Sequence, residues 1–418
     1  MIVEIDVTKL GDIAEFQTGP FGTQLKASEY SEHGTPLINV KNIGYGTIID
    51  DDLDFVPDAV CNRLNTHILH NGDIVFGRKG SIDRHGYIGK KQDGWMQGSD
   101  CIRMRVISDD FVPRYVSYCL NLTSVKAQIS FASVGSTMDS LNTDILKNIR
   151  IPYLHLNEQI RIVSLLSDID AKIDNNNAIA AELENMAKDL YDYWFVQFDF
   201  PDENGKPYKS SGGKMVWNEE LKREIPEGWE YGNLYSIAEP INGLACQKYR
   251  PKNDEESLPV VKIKEMHTGI TTDTERVSSN IPEKNKIFDG DILFSWSATL
   301  EVMFWFGGNA GLNQHIFKIV PINGYTKEYV YHQYSAYVIN FVKMAEARKT
   351  TMGHITTDHL EQSRIILPPI NVVQAFSKIT APIYEKIGTC KQECNDLASL
   401  RDFLLPMLMN GQVKVKGA

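Results

Sequence analysis

From Leu154 onward the apolar residues fall three and four apart, at Leu156, Ile160, Val163, Leu166, Ile169 and Ile173, then Leu183, Met186, Leu190 and Trp194. That spacing is the narrow seam of a long amphipathic helix. A second run repeats it, at Phe376, Ile379, Ile383, Ile387, Cys390, Cys394, Leu397, Leu400, Leu404 and Leu408. Each run follows a proline junction, Pro152-Tyr153-Leu154 and Pro368-Pro369-Ile370, where a strand is expected to stop and a helix to start. Asn175-Asn176-Asn177 weakens the first pattern in its middle. Pro382 lies inside the second, where a proline kinks a helix or delays its regular start. At 1.5 Å per residue each helix spans roughly 60 Å. So long a helix with so narrow a seam needs a partner. The two are expected to pair antiparallel, the chain running out along one and back along the other.

The rest of the chain has a different period. Thr35–Val40, Asp73–Phe76 and Cys101–Val106 are short and β-rich, and Leu258–Ile263 and Gln314–Val320 match them. Gly, Asn and Asp lie between them, as turns require. Helical pieces are expected around Pro113–Asn121 and Tyr325–Lys343.

The two halves repeat one another. Gly72-Asp73-Ile74 recurs as Gly290-Asp291-Ile292, and Ile13-Ala14-Glu15 with Gly19 recurs as Ile237-Ala238-Glu239 with Gly243. Pro36-Leu37-Ile38 with Lys41 recurs as Pro259-Val260-Val261 with Lys264, and Ile149-Arg150-Ile151-Pro152 as Ile365-Ile366-Leu367-Pro368. The order is kept and the period is far longer than the roughly 20–50 residues of a solenoid unit. A whole domain with its connector has been duplicated. The predicted fold class is therefore α+β: two similar domains with two long antiparallel helices forming a coiled coil, related by a pseudo-twofold internal repeat. The expected boundaries are 1–152 for the first domain, 153–197 for the first helix and 198–226 for a linker. The second domain follows at 227–368, the second helix at 369–411 and a tail at 412–418. The linker is assigned from its polar, Gly-, Pro- and Ser-rich stretch Pro201–Lys214.

Composition narrows the class. The chain has 418 residues, 42% hydrophobic and 23% charged, ordinary values for a globular protein. No run of about 18 apolar residues is present, so no membrane span is expected. The N-terminus carries Glu4 and Asp6 and no basic stretch, so it does not read as a signal peptide. The six cysteines form no CxxC pair, which indicates neither a zinc site nor a disulfide framework and makes a cytoplasmic location the simplest. The net charge of −11 weighs mildly against bulk nucleic-acid binding, although specific contact depends on where the cations sit.

The search for catalytic chemistry is mostly negative. No phosphate loop, GxGxxG turn, nucleophile elbow, HExxH or [DN]PP[YF] signature is present. Asp202 followed by Glu220 and Lys222 imitates a nuclease core, but both parts fall in the linker. Cys390 and Cys394 share a helix face and read as small core residues, and His315 reads as structural. Polar, cationic and aromatic residues gather instead in the turns. In the first half these are Thr23, Gln24, Lys26, Lys41, Arg78, Lys79, Ser81, Arg84 and Ser136. In the second half they are Gln247, Lys248, Arg250, Lys264, Trp296, Ser297, Lys349, Thr350 and His354. Arg and Lys suit guanine edges and phosphates, while Asn and Gln suit adenine. The framework repeats while the loop chemistry diverges, as expected of two sites that read different targets.

Taken together, these features resemble the DNA-specificity subunit of type I restriction–modification systems. The marks are the repeated Gly-Asp-Ile, the Pro-then-helix junctions carrying Gln159 and Gln374, and Trp194-Phe195-Val196-Gln197-Phe198-Asp199-Phe200-Pro201 leading to Ile225-Pro226-Glu227-Gly228-Trp229. The resemblance covers nearly the whole chain. It implies that each globular part is a target-recognition domain reading one half of a split double-stranded DNA sequence, with the coiled coil setting the unread gap. Half-sites about one turn of DNA apart, roughly 34 Å, are within reach of such helices. It further implies a chain that is not itself an enzyme and holds no cofactor. Its partners would be two methyltransferase subunits, which use S-adenosylmethionine on adenine, and motor-nuclease restriction subunits, which use ATP and Mg2+. The competing reading is a protein-binding scaffold of the same ancestry without DNA readout.

Overall fold

A computed structural model describes residues 6–22, 24–80, 82–133, 140–297, 299–347 and 357–416. Two compact units emerge, one from Met1–Ala171 with Ala398–Ala418 and the other from Lys172–Leu397.

In unit 1, Ala14–Thr18, Cys101–Val106, Ile74–Gly77 and His85–Tyr87 form a four-stranded antiparallel sheet in that order. A second sheet has Thr35–Ile38 at its centre, antiparallel to Asp54–Val56 and parallel to Met96–Gln97. Unit 2 repeats both. Ala238–Asn242, Ile316–Pro321, Ile292–Ser295 and Glu301–Phe304 form the first sheet. Ser257–Val261 lies between Arg276–Ser278, antiparallel, and Ala310–Leu312, parallel, with Lys286–Ile287 added at the edge. Each unit also closes with a two-stranded clasp, Val7–Lys9 on Arg150–Pro152 and Glu230–Gly232 on Ile365–Leu367. Each clasp returns the end of the domain to its beginning, so a long helix leaves from beside the domain's first strand. The two α+β domains are thus one architecture used twice.

The recurring motifs are explained by this framework. Gly72 and Gly290 adopt φ of +96° and +81°, a left-handed turn that glycine takes without steric cost. The next residue, Asp73, accepts from the His70 backbone N–H at 2.8 Å and from Nε and Nη2 of Arg105, both at 2.7 Å. Asp291 accepts from the Phe288 N–H at 2.9 Å and pairs with Lys318 at 2.8 Å. Gly-Asp-Ile is therefore a turn that bolts itself to the basic side of the central strand. Gly19 and Gly243 answer a different demand: a Cβ there would lie 2.0 Å from the carbonyl oxygens of Gly98 and Asn313. Only glycine allows so close a backbone approach.

The first long helix runs Leu156–Tyr191 and ends in a π turn, Asp192–Val196; the second runs Ile370–Met409. The second begins at Ile370, so Pro382 does not delay it. Within unit 1, Glu158 pairs with Lys414 and Asp170 with Arg401. Within unit 2, Asn176 donates to Glu393, and Cys394 packs on the backbone of Ile173. Rising numbers on one helix meet falling numbers on the other in each unit, so the pair is antiparallel.

The seam agrees with the expected one at Leu166, Ile169, Trp194, Phe376, Ile387, Cys390, Cys394 and Leu408, which are buried, and differs elsewhere. Leu156, Ile160, Met186, Ile379 and Leu400 are exposed. The buried line on the first helix is Gln159, Ile162, Leu166, Ile169, Asn176, Ala180, Ala187 and Tyr191, again in steps of three and four except across a half-buried Ile173 and Leu183. A hydrophobicity pattern selects the largest apolar side chains. Close helix packing instead selected Ala180 and Ala187, which pack with Tyr384, Ile387 and Cys390. Asn176 does not break the helix. It is buried and hydrogen-bonded to the partner helix, the kind of polar contact that sets register. Replacing the fully buried Leu166 with Ala is expected to cost about 2–3 kcal/mol in urea unfolding. Replacing the exposed Met186 with Ala should change stability by less than about 0.5 kcal/mol.

The segment 198–226 is more than a polar connector. Phe198 and Phe200 are buried, and Phe200 stacks on Tyr208 at 4.7 Å and on Trp229 at 5.0 Å. Met215–Asn218 and Arg223–Pro226 form a hairpin over them. Three aromatic residues of this Gly/Pro-rich stretch, Phe198, Phe200 and Tyr208, pack with Trp229 beyond it and supply the apolar area that anchors it.

Candidate nucleic-acid interface

In unit 1, several loops converge on the turn between Ile74–Gly77 and His85–Tyr87. The Arg78 N–H donates to the Asp100 carbonyl at 2.8 Å, which joins the turn to the loop before Cys101–Val106. The Arg78 guanidinium lies over the Phe21 ring at 4.4 Å, which brings in the loop after Ala14–Thr18. Lys79, exposed, bridges to Ser140. At the other end of the turn, Arg84 lies over Tyr45 at 5.2 Å, and Lys126 from the helix Thr123–Ser133 reaches the same ring at 4.4 Å. The Tyr45 hydroxyl donates to Asp83 at 3.4 Å. Burial in this cluster lowers the Lys126 pKa. The result is one continuous edge on which cations lie flat against exposed aromatic rings. Such an edge suits phosphates, base edges and base stacking.

Unit 2 builds the same turn with other chemistry. Trp296 takes the place of Arg78, its backbone N–H donating to the His315 carbonyl at 3.4 Å. Its ring packs tilted on His315 at 5.6 Å and on Phe317 at 5.9 Å. Gln314 and His315 sit side by side in the half-buried loop before Ile316–Pro321.

The other candidates divide into several groups. Gln24 is exposed, but its side chain accepts from the Phe21 N–H at 3.1 Å and braces its own loop. Lys26, Gln247, Lys248 and Lys264 are exposed. Lys41 is held by Asp52 at 2.8 Å and Asp54 at 3.3 Å; the Asp52 hydrogen bond raises its pKa, and its charge is largely spent locally. Arg250 sits 3.9 Å from Glu275, which also binds Lys262 at 2.6 Å. Ser297 is buried and its carbonyl accepts from Ser295 Oγ at 3.3 Å. Thr23, Ser81, Ser136, Lys349, Thr350 and His354 lie outside the described residues. Sequence reasoning missed Tyr45 and Lys126. Tyr45 stands between Gly44 and Gly46, a turn signal beside an aromatic, whereas nothing in the sequence distinguishes Lys126 from other helical lysines.

Potentially reactive groups elsewhere read as structural. His85 is buried against Ser117 Oγ at 3.0 Å, and desolvation pushes its pKa down to about 3, so it is neutral. Burial pushes the thiols of Cys101 and Cys119 up to about 12 and that of Cys246 up to about 11, far from the thiolate a nucleophile needs. Asp202 caps its own turn through Asn204 and Lys206, and Glu220 pairs with Arg364 at 3.7 Å. Among the described residues no cluster of His, Cys, Asp and Glu has the form of a metal site, and no helix is long and apolar enough to cross a membrane.

Against known proteins, residues 2–185 and 226–397 both match the type I restriction modification DNA specificity domain. The type I restriction enzyme MjaIX specificity subunit of Methanocaldococcus jannaschii is 25% identical, over 98% of this chain and 94% of that protein. The HindI specificity subunit of Haemophilus influenzae is 22% identical, over 82% of this chain and 87% of that protein. The crystal structure of the type I restriction-modification S subunit from M. genitalium aligns over 100% of this chain and 98% of its own, with a TM-score of 0.55 at 14% identity. A duplicated α+β domain with paired helices and a cation-bearing loop edge defines a class of recognition protein. The two family matches say which: this chain belongs to the DNA-specificity family of type I restriction–modification systems.

Proposed function

We propose that each unit reads one half of a bipartite double-stranded DNA target through its turn cluster. The paired helices set the unread gap and present surfaces on which two methyltransferase subunits dock. The chain contributes recognition and no catalysis. S-adenosylmethionine would be used by those subunits, and ATP and Mg2+ by the motor-nuclease subunits that join them. The observation that carries this reading is the conserved framework with diverged tips: Arg78 in one unit stands where Trp296 stands in the other, on the same backbone contact. A scaffold that bound the same protein twice would keep its tips alike.

Exchange of residues 1–152 for those of a relative with another target tests the reading. Methylated sites mapped in a host carrying the hybrid and its methyltransferase partner should change in one half only. A change in both halves, or in neither, would overturn it. The net charge of −11 favours the scaffold alternative. Under that alternative, complexes with DNA would be absent or insensitive to salt, whereas DNA readout gives affinity that falls steeply as salt rises.

A further inference from the structure

The far end of the reading turn carries opposite charge in the two units. In unit 1 the strands pair with Phe76 opposite His85, and Arg84 is the residue just before His85. In unit 2 the equivalent Phe294 lies opposite Val302, and Glu301 is the residue just before Val302. The shared Gly-Asp-Ile turn fixes the count from the other side, so Arg84 and Glu301 occupy one framework position. Each has a neighbour from the segment after the second sheet's central strand: Tyr45, which carries Arg84, lies in the loop beyond Thr35–Ile38, and His267, 3.3 Å from Glu301, lies in the helix Ile263–Thr268 beyond Ser257–Val261. Both corners face solvent in part, with the Glu301 side chain 38% and the His267 side chain 47% exposed. Neither residue is spent on the core. The Arg84 Nε is buried, with no hydrogen-bond partner among the described residues.

We propose that this corner is a base-reading position in both units and that the two units read opposite hydrogen-bond polarity there. Arg84 has donors only, so it suits the O6 and N7 acceptors of guanine. The Glu301 carboxylate offers acceptors, so it suits an exocyclic amino group, N4 of cytosine or N6 of adenine. A carboxylate on a DNA-facing edge repels phosphate, so a base amino donor is the DNA chemistry it accommodates. His267 Nε2 lies 3.3 Å from Glu301 Oε2, which, like Arg84 Nε, has no hydrogen-bond partner among the described residues. The inference rests on the DNA-reading function proposed above and assigns the chemistry of one position within it.

The test selects duplexes from a randomised pool with the full chain in complex with its methyltransferase partner. Glu301→Ala should relax one position, a cytosine or an adenine, in the half-site assigned to unit 2. Discrimination there should fall about tenfold or more, with the other half-site unchanged. Which base is relaxed identifies which amino group is read. Arg84→Ala should relax one guanine in the other half-site by a similar factor. The two variants lie in different units, so misfolding of one leaves the other to decide. Intact bipartite selection by both variants, or relaxation at a base without the matching polarity, would overturn the inference while leaving the DNA-reading function standing. Failure of the unaltered complex to select any bipartite site would overturn that function itself.

Discussion

Phe376→Ala should be the most destabilising single truncation at the root of the second helix, at about 3–5 kcal/mol. The ring is fully buried and packs against Phe195 at 5.1 Å, Trp194 at 5.8 Å, His332 at 6.1 Å and Tyr191 at 6.3 Å. These partners come from the end of the first helix, its π turn and the helix Lys327–Ala347. Removing the ring opens a cavity that none of them can fill without losing its own contacts, and aromatic pairs add to the loss. Hydrogen exchange is the suitable measurement because it localises the effect. Amides of unit 2 should lose protection, while the sheet of unit 1, built from separate residues, keeps its own. Equal protection in wild type and variant would show that this aromatic cluster does not hold the helix.

Asp73→Ala should cost about 3 kcal/mol of unit 1 stability, the lower end for breaking a buried ion pair by removing one partner. The Asp73 side chain is only 2% exposed, but Arg105 is 35% exposed, so the guanidinium left behind recovers some hydration. The His70 N–H also loses its acceptor. The equivalent Asp291→Ala should cost less. Lys318 keeps a second hydrogen bond, to the Lys286 carbonyl at 3.0 Å, after the carboxylate is gone. Urea titration of the two variants checks the order. A larger loss for Asp291→Ala would mean that the bidentate geometry of Arg105 adds nothing.

The repeat was legible because its landmarks are the residues a backbone cannot exchange. Gly72 and Gly290 need left-handed φ, Gly19 and Gly243 need the absence of a Cβ, and Asp73 and Asp291 each close a turn and hold a cation. The strands around them follow from β-rich alternation and appear within a residue or two of the expected bounds. The helices were equally plain, but their inward face was not. Period alone gives the direction of a stripe to within about one residue step, roughly 100° around the helix. Choosing between Met186 and Ala187 needs the distance to the partner helix. The aromatic packing under 198–226 was missed for a similar reason: composition averaged Phe198, Phe200 and Tyr208 against a background of glycine, proline and serine.

Site chemistry was legible only as a set of loops. Sequence order placed Arg78, Lys79 and Arg84 in one turn, and that grouping stands on the backbone contacts of the turn itself. It could not show that Lys41 is neutralised by Asp52 and Asp54, or that Ser297 is buried, because those outcomes depend on residues brought close by sheet register. Nor could it pair Arg84 with Tyr45 and Glu301 with His267, since each pair joins a hairpin to a segment that follows a strand of the other sheet. Local rules of turn geometry and periodicity thus established the duplicated domain and the helices, while the family rests on motif resemblance and the two family matches. Which side chains remain free to meet DNA is a matter of long-range register and packing distance, and these exist only once the chain has folded.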